Sequence, residues 1–124
     1  MIDHVSLKVR DFNRSRAFYD AALKPIGASA LWVAADPAPH AGYGRPPRPT
    51  FWIAEGEPAS GALHVAFTAE RRAEVDAFYA AAIAAGGRDN GAPGLRPDYH
   101  PDYYGAFVLD PDGINVEAVC HHPV

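Results

Sequence analysis

The sequence begins twice. His4-Val5 recurs as His64-Val65, Phe18-Tyr19 as Phe78-Tyr79 and Gly27 as Gly87, each pair 60 positions apart, with Ala21-Ala22-Leu23 answered by Ala81-Ala82-Ile83. Each half reads as a short strand, an amphipathic helix and a glycine stop. Two copies are too few for a solenoid, so the repeat implies two similar modules that cover each other's apolar faces. The linker, Glu55 to Gly61, is short and polar. It is a hinge within one domain spanning 1–124, with modules at 1–58 and 62–124.

Size and composition fit that plan. A chain of 124 residues with 48% hydrophobic and 21% charged side chains can close one core. Its apolar runs, Ala30 to Ala35 among them, are far too short to cross a bilayer. The chain enters a strand pattern at once, without a secretory leader, and a soluble cytoplasmic protein is expected. The lone Cys120 excludes an internal disulfide. A net charge of −4 without a basic cluster gives no footprint for nucleic acid. Small molecules and a second copy of the chain are the expected partners.

Residues Asp3 to Val9 alternate, with Val5, Leu7 and Val9 on one side and His4, Ser6 and Lys8 on the other. Asp11 or Asn13 caps a helix from about Arg14 to Leu23, stopped by Pro25 and Gly27. Strands follow at Ser29 to Ala35 and Phe51 to Ala54, separated by a proline-rich loop in which Gly42-Tyr43-Gly44 can add a short edge strand. In the second half, Leu63, Val65 and Phe67 oppose His64 and Ala66. A helix opens at Thr68 or Ala69, with Glu70 in its first turn, and stops at Gly86-Gly87. After a loop from Asn90 to Asp102, a hairpin pairs Tyr104 to Leu109 with Ile114 to Cys120 across Asp110-Pro111-Asp112-Gly113. In its last strand Glu117 faces away from Ile114, Val116 and Ala118.

Three strands thus set His4, His64 and Glu117 opposite their apolar sides. If helices cover the apolar sides, two imidazoles and a carboxylate can converge. That donor set leaves coordination positions open and suits Fe, Mn, Ni or Zn. The competing reading makes the histidines hydrogen-bonded polar residues and Glu117 a solvated carboxylate.

The segments His4-Val5-Ser6-Leu7-Lys8-Val9-Arg10-Asp11, Ser15 to Tyr19, His64 to Phe67 and Phe107 to Glu117, through the Asp-Pro-Asp-Gly turn, resemble the vicinal oxygen chelate superfamily. Glyoxalase I, fosfomycin-resistance enzymes, extradiol dioxygenases and bleomycin-resistance proteins belong to it. The resemblance implies an α+β fold of two βαβββ modules forming a cupped mixed sheet with helices outside. It also implies metal ligands at His4, His64 and Glu117. Enzymes of the group use a divalent metal ion to chelate neighbouring substrate oxygens for isomerase, lyase or dioxygenase-type chemistry. Many carry a further ligand or base on the last strand of the first module; here that strand is Phe51-Trp52-Ile53-Ala54, with Glu55 at its end as the nearest candidate. This departure leaves a three-ligand site or no metal at all.

Among the remaining residues, His100 and Tyr104 are candidate acids or bases. Trp52, Tyr99, Tyr103 and Arg96 are candidate substrate contacts. Their alternative is aromatic packing of a proline-braced loop. Cys120-His121-His122 reads as a frayed end, and Arg45 and Arg48 as a solvated loop. The expected function is a glyoxalase-like metalloenzyme acting on a small oxygenated substrate, lyase or isomerase chemistry being favoured over dioxygenase. The alternative is a non-catalytic binding protein of the bleomycin-resistance type. A homodimer is expected, in which His4 of one subunit can join His64 and Glu117 of the other.

Overall fold

A computed structural model describes all 124 residues as two modules of like topology. The first comprises β1 (Val5–Val9), α1 (Phe12–Leu23), β2 (Ser29–Ala34), β3 (His40–Gly44) and β4 (Phe51–Glu55). The second comprises β5 (His64–Thr68), α2 (Arg72–Ala84), β6 (Arg88–Leu95), β7 (Tyr104–Leu109) and β8 (Asn115–Cys120). Each makes a four-stranded mixed sheet, ordered β1-β4-β3-β2 and β5-β8-β7-β6, in which only the outer first strand runs parallel to its neighbour. This is the α+β arrangement of two βαβββ modules.

The helices lie where their caps put them. Asp11 accepts the Arg14 N–H at 3.1 Å and starts α1 at Phe12, two residues ahead of the sequence estimate. After α1, a single 3-10 turn (Lys24–Ile26) ends on Gly27, whose φ of 81° is the left-handed stop. The helix α2 starts later than expected, at Arg72. Ala69 is drawn into the sheet region by its N–H bond to the Val119 carbonyl, and Glu74 then accepts the N–H groups of Glu70 and Arg71.

Two strand expectations need correction. The stretch from Asn90 is not loop throughout, because β6 continues to Leu95. Register shifts at Gly91 and Gly94 absorb its irregular sequence, and its edge position tolerates Pro93. Nor is Gly42-Tyr43-Gly44 an edge: β3 sits between β4 and β2. There Gly42 lets the Trp52 ring lie flat across the strand, since a Cβ at 42 would come within 2.7 Å of that ring.

One cluster of 22 buried residues draws on both modules. Phe18, Tyr19, Val75 and Phe78 are fully buried, and Phe51 meets Phe67 edge to face at 5.0 Å. Each such ring contributes about 1.5–3 kcal/mol by leaving water. Polar links tie the modules as well. Tyr19 of α1 donates to Asp110 at 2.6 Å, and Arg45 donates to the carbonyls of Ile26 (2.9 Å) and Thr68 (2.7 Å). Arg45 is therefore a clasp between modules as well as the exposed loop residue its prolines suggested. The tail differs too: β8 runs through a buried Cys120, paired opposite Tyr104, so the end of the chain is ordered up to His121 and not frayed from 120.

The helices pack on one side of each sheet. In the second sheet Val65, Phe67, Val108, Val116 and Ala118 face that side. By alternation His64, Ala66, Phe107 and Glu117 face the other.

Candidate functional site

The strand register places the site. Ala66 pairs with Glu117 and Glu117 with Phe107, so the first residue of β5, His64, points to the same side one step along. Its Nε2 lies 3.0 Å from Glu117 Oε1. The two groups are unequal in environment: the His64 side chain is 43% exposed and that of Glu117 1%. A carboxylate withdrawn so far from water is costly unless its oxygens are engaged. Here one oxygen faces His64 and the other accepts a short hydrogen bond from the Tyr103 hydroxyl. Gly105 makes the space, since a Cβ there would lie 2.9 Å from Glu117 Oε2. Burial, then the bond to Glu117, push the Tyr103 phenol well above its ordinary pKa, so Tyr103 stays a donor at physiological pH.

Tyr103 closes a short loop. The Arg96 N–H bonds to the Tyr103 carbonyl at 2.8 Å, Tyr99 N–H to Arg96, and Tyr103 N–H to His100. The ring of Tyr99 lies against that of Tyr103 at 4.8 Å and is largely exposed. The Arg96 guanidinium lies over the Phe107 ring at 5.4 Å, and the same ring stands 5.9 Å from that of His64. His64, Glu117, Tyr103, Phe107 and Arg96 therefore form one patch. Phe107 and Gly105 were not singled out in the sequence, although their even spacing from each other and their pairing opposite β8 follow from the hairpin alone.

Other candidates lie elsewhere. His4 is exposed just before β1, its Nδ1 2.8 Å from Asp3, whose second oxygen meets Arg48 at 3.4 Å. Within one chain no three His, Cys, Asp or Glu side chains converge to hold a metal ion. Glu55 accepts the Phe12 N–H at 3.1 Å and so serves the start of α1. Tyr104 is on the helix side, donating to Asp76 of α2 at 2.7 Å with Arg72 over its ring. His100 accepts the Asp102 N–H at Nδ1, which leaves its proton on Nε2, directed at His121 Nδ1 2.8 Å away. Its ring touches that of Tyr103. Trp52 belongs to the open face of the first sheet, where a groove of about 320 Å³ is lined by Ser6, Lys8, Pro37, His40 and Trp52.

The sequence pattern of the Glyoxalase/Bleomycin resistance protein/Dioxygenase superfamily matches residues 1–118. The chain belongs to this superfamily. A glyoxalase/bleomycin resistance protein from Albidiferax ferrireducens is 34% identical, with a TM-score of 0.80 over 97% of this chain and 98% of its own. Two more distant structures share the glyoxalase fold. A glyoxalase-related enzyme from Fulvimarina pelagi is 19% identical (TM-score 0.73, covering 100% of this chain and 89% of its own). A mutant of the fosfomycin resistance protein FosX from Listeria monocytogenes, complexed with Mn(II) and 1S,2S-dihydroxypropylphosphonic acid, is 18% identical (TM-score 0.71, covering 98% and 90%). No curated protein matches the sequence significantly. As a glyoxalase-superfamily chain it has no helix long and apolar enough to cross a membrane.

Proposed function

We propose that this chain is a divalent-metal-dependent enzyme in which His64 and Glu117 are two ligands of the ion and His4 of a second copy is the third. The observation that carries the reading is the approach of His64 Nε2 to Glu117 Oε1, 3.0 Å apart, with the carboxylate buried. Two ligands at about 2.1 Å from one ion and at right angles stand about 3 Å apart, so this donor pair fits a shared cation. Nitrogen and oxygen donors of this kind suit Fe, Mn, Ni or Zn. FosX, which has the same fold, holds Mn(II) with a diol.

Two features favour a second copy. Both β1 and β5 are edge strands, and His4 projects at the exposed start of the first. An open edge invites pairing with another chain. Joining the β1 side of one copy to the β5 side of another brings His4 toward His64 and Glu117 with two-fold symmetry, giving a homodimer with two equal sites.

A divalent ion held by His64, Glu117 and the second copy's His4 would supply Lewis-acid stabilisation of negative charge developing on the substrate's oxygens. The residues of the chain do the rest. Tyr103 holds Glu117 so that Oε1 faces His64, the role of a positioning residue. Phe107 and Tyr99 offer apolar walls to a small substrate. Proton transfer, addition or cleavage of lyase or isomerase type is the reaction class.

Elemental analysis of untagged protein, with His64→Ala beside it, tests the reading. One equivalent of Fe, Mn, Ni or Zn per chain in the wild type, lost in the variant, is expected. Folded protein that also rejects added ions contradicts it. A second reading, binding without catalysis, is favoured by the Trp52 groove, where Trp32 donates to His40 beside the Trp52 ring. It predicts tryptophan quenching by planar cations in metal-free protein.

A further inference from the structure

The edge strand β6 is an unusual sequence for a strand, Arg-Asp-Asn-Gly-Ala-Pro-Gly-Leu, and its irregularity has a visible use. Its register shifts fall between Asp89 and Gly91 and between Gly91 and Gly94. Gly91 pairs opposite Phe107 and Gly94 opposite Gly105. Both glycines line the seat of the Arg96 side chain: a Cβ at Gly91 would stand 3.3 Å from Nη2, and one at Gly94 3.1 Å from Nη1. Gly91 also has a φ of 147°, which side chains beyond glycine rarely adopt. Two bulges and two missing side chains thus open a place for one guanidinium.

The guanidinium is held there without being neutralised. It lies over the Phe107 ring, and its hydrogen bonds go to backbone carbonyls, Ala92 at 2.7 Å from Nη2 and a longer one to Leu95 at 3.4 Å from Nη1. No carboxylate lies within ion-pair distance of it, whereas Arg10, Arg16, Arg48, Arg71 and Arg72 each face one. Three of its five N–H donors remain for a ligand. A fixed, stacked arginine fork with spare donors matches the planar geometry of a carboxylate, and equally a phosphonate or phosphate. Phe107 stands between this fork and His64, whose ring lies 5.9 Å from that of Phe107 on the same face as Glu117.

We infer that Arg96 is an oxyanion subsite: the substrate is an anion whose carboxylate or phosphonate is held by Arg96 while its neighbouring oxygens lie at His64 and Glu117. The inference rests on the proposed site in one respect, that substrate oxygens occupy the His64–Glu117 end. Within it, Arg96 selects charge, and the glycines at 91 and 94 leave the room it occupies.

Glycerate, 2,3-dihydroxypropylphosphonate and glyceramide, which share a vicinal diol but differ in the charge of the group beside it, provide the test. Each is titrated calorimetrically into Mn(II)-loaded wild-type protein and into Arg96→Gln and Arg96→Lys. The expected result is glycerate or the phosphonate binding about tenfold or more tightly than glyceramide to the wild type. The preference collapses in Arg96→Gln and is partly kept in Arg96→Lys, with Mn(II) content unchanged in all three. Whichever of the two acids binds more tightly assigns the oxyanion. Equal binding of the three probes, no binding of any, or a preference that survives Arg96→Gln overturns the inference. Failure of the metal reading would look different: the wild type would take up no Mn(II). The same titrations of metal-free protein, followed by the NMR shift of the Arg96 Nε–H, then still decide whether the anion meets Arg96.

Discussion

The two modules share a topology and 60-residue spacing, yet equivalent positions do different work. The site in β8 that holds Glu117 corresponds in β4 to Trp52, since Ser6 pairs with Trp52 as Ala66 pairs with Glu117. The neighbour across the strand is Phe107 in one case and Gly42 in the other. In the second module a small floor at Gly105 admits a carboxylate; in the first, Gly42 admits an indole. One sheet face thereby carries a buried carboxylate and the other an apolar groove. The repeat specifies the frame, and the residue opposite each inward position specifies what the frame can hold.

Breaking the comparison at those equivalent positions should have the largest effect. Glu117→Ala is expected to weaken Mn(II) binding by at least about a hundredfold, because it removes a proposed ligand, whereas Trp52→Ala leaves it unchanged. Metal titration followed by the EPR signal of free Mn(II) reads both. Equal losses would mean that the modules are not specialised as described.

The matched glycines sharpen the same contrast through stability. Gly87 is crowded: a Cβ would stand 2.5 Å from Val108, 2.7 Å from Phe18 and 2.9 Å from the Ala82 carbonyl. Gly27 is roomy but has a φ of 81°. In urea unfolding, Gly87→Ala should cost about 3 kcal/mol through overpacking. Gly27→Ala should cost about 1–2 kcal/mol through its left-handed backbone. The repeat aligned these glycines for reasons that differ, and the left-handed stop of the second helix is in fact Gly86, with a φ of 102°.

The Phe-Tyr pairs divide in the same way. Tyr19 is fully buried and bonded to the buried Asp110, while Tyr79 reaches the exposed Asp89 at 3.0 Å. Burial raises the Asp110 carboxyl above its ordinary pKa, the hydrogen bond from Tyr19 opposing that shift. Tyr19→Phe should cost about 1–3 kcal/mol by leaving that carboxyl short of a donor, and Tyr79→Phe about 0.5 kcal/mol.

The smallest effect concerns the helix starts. Glu74, bonded first to the Glu70 N–H and then to Arg71, has its carboxyl held below the usual range. A depressed carboxylate adds stability above its unfolded pKa and loses it as pH falls through the lower folded value. The stability difference between wild type and Glu74→Gln should therefore be present at neutral pH and shrink on acidification below about pH 4. A difference constant with pH would remove Glu74 from the start of α2.

Much of this was legible in the sequence because local rules and the repeat agreed. Alternation set His64 and Glu117 on one strand side, and Asp11 announced the first helix. What escaped depended on contacts distant in the chain. The late start of α2 follows from a sheet bond at Ala69 to Val119, and the strand character of β6 from pairing that overrides Gly91, Pro93 and Gly94. His121 is placed by His100, and Glu55 is claimed by the N–H of Phe12. His4 lies apart from His64 and Glu117 because their strands belong to separate sheets of one chain, a separation no strand pattern reveals.

The proposed composite site can be tested directly by mixing two defective chains, His4→Ala and Glu117→Ala, each expected to be poor in metal alone. After joint unfolding and refolding, random pairing makes half the dimers mixed, and each mixed dimer regains one intact site from His4 of one chain and His64 with Glu117 of the other. The account predicts recovery of about one quarter of wild-type Mn(II) content. A mixture that binds no more metal than its separate components, or a His4→Ala protein that loads fully by itself, would contradict it.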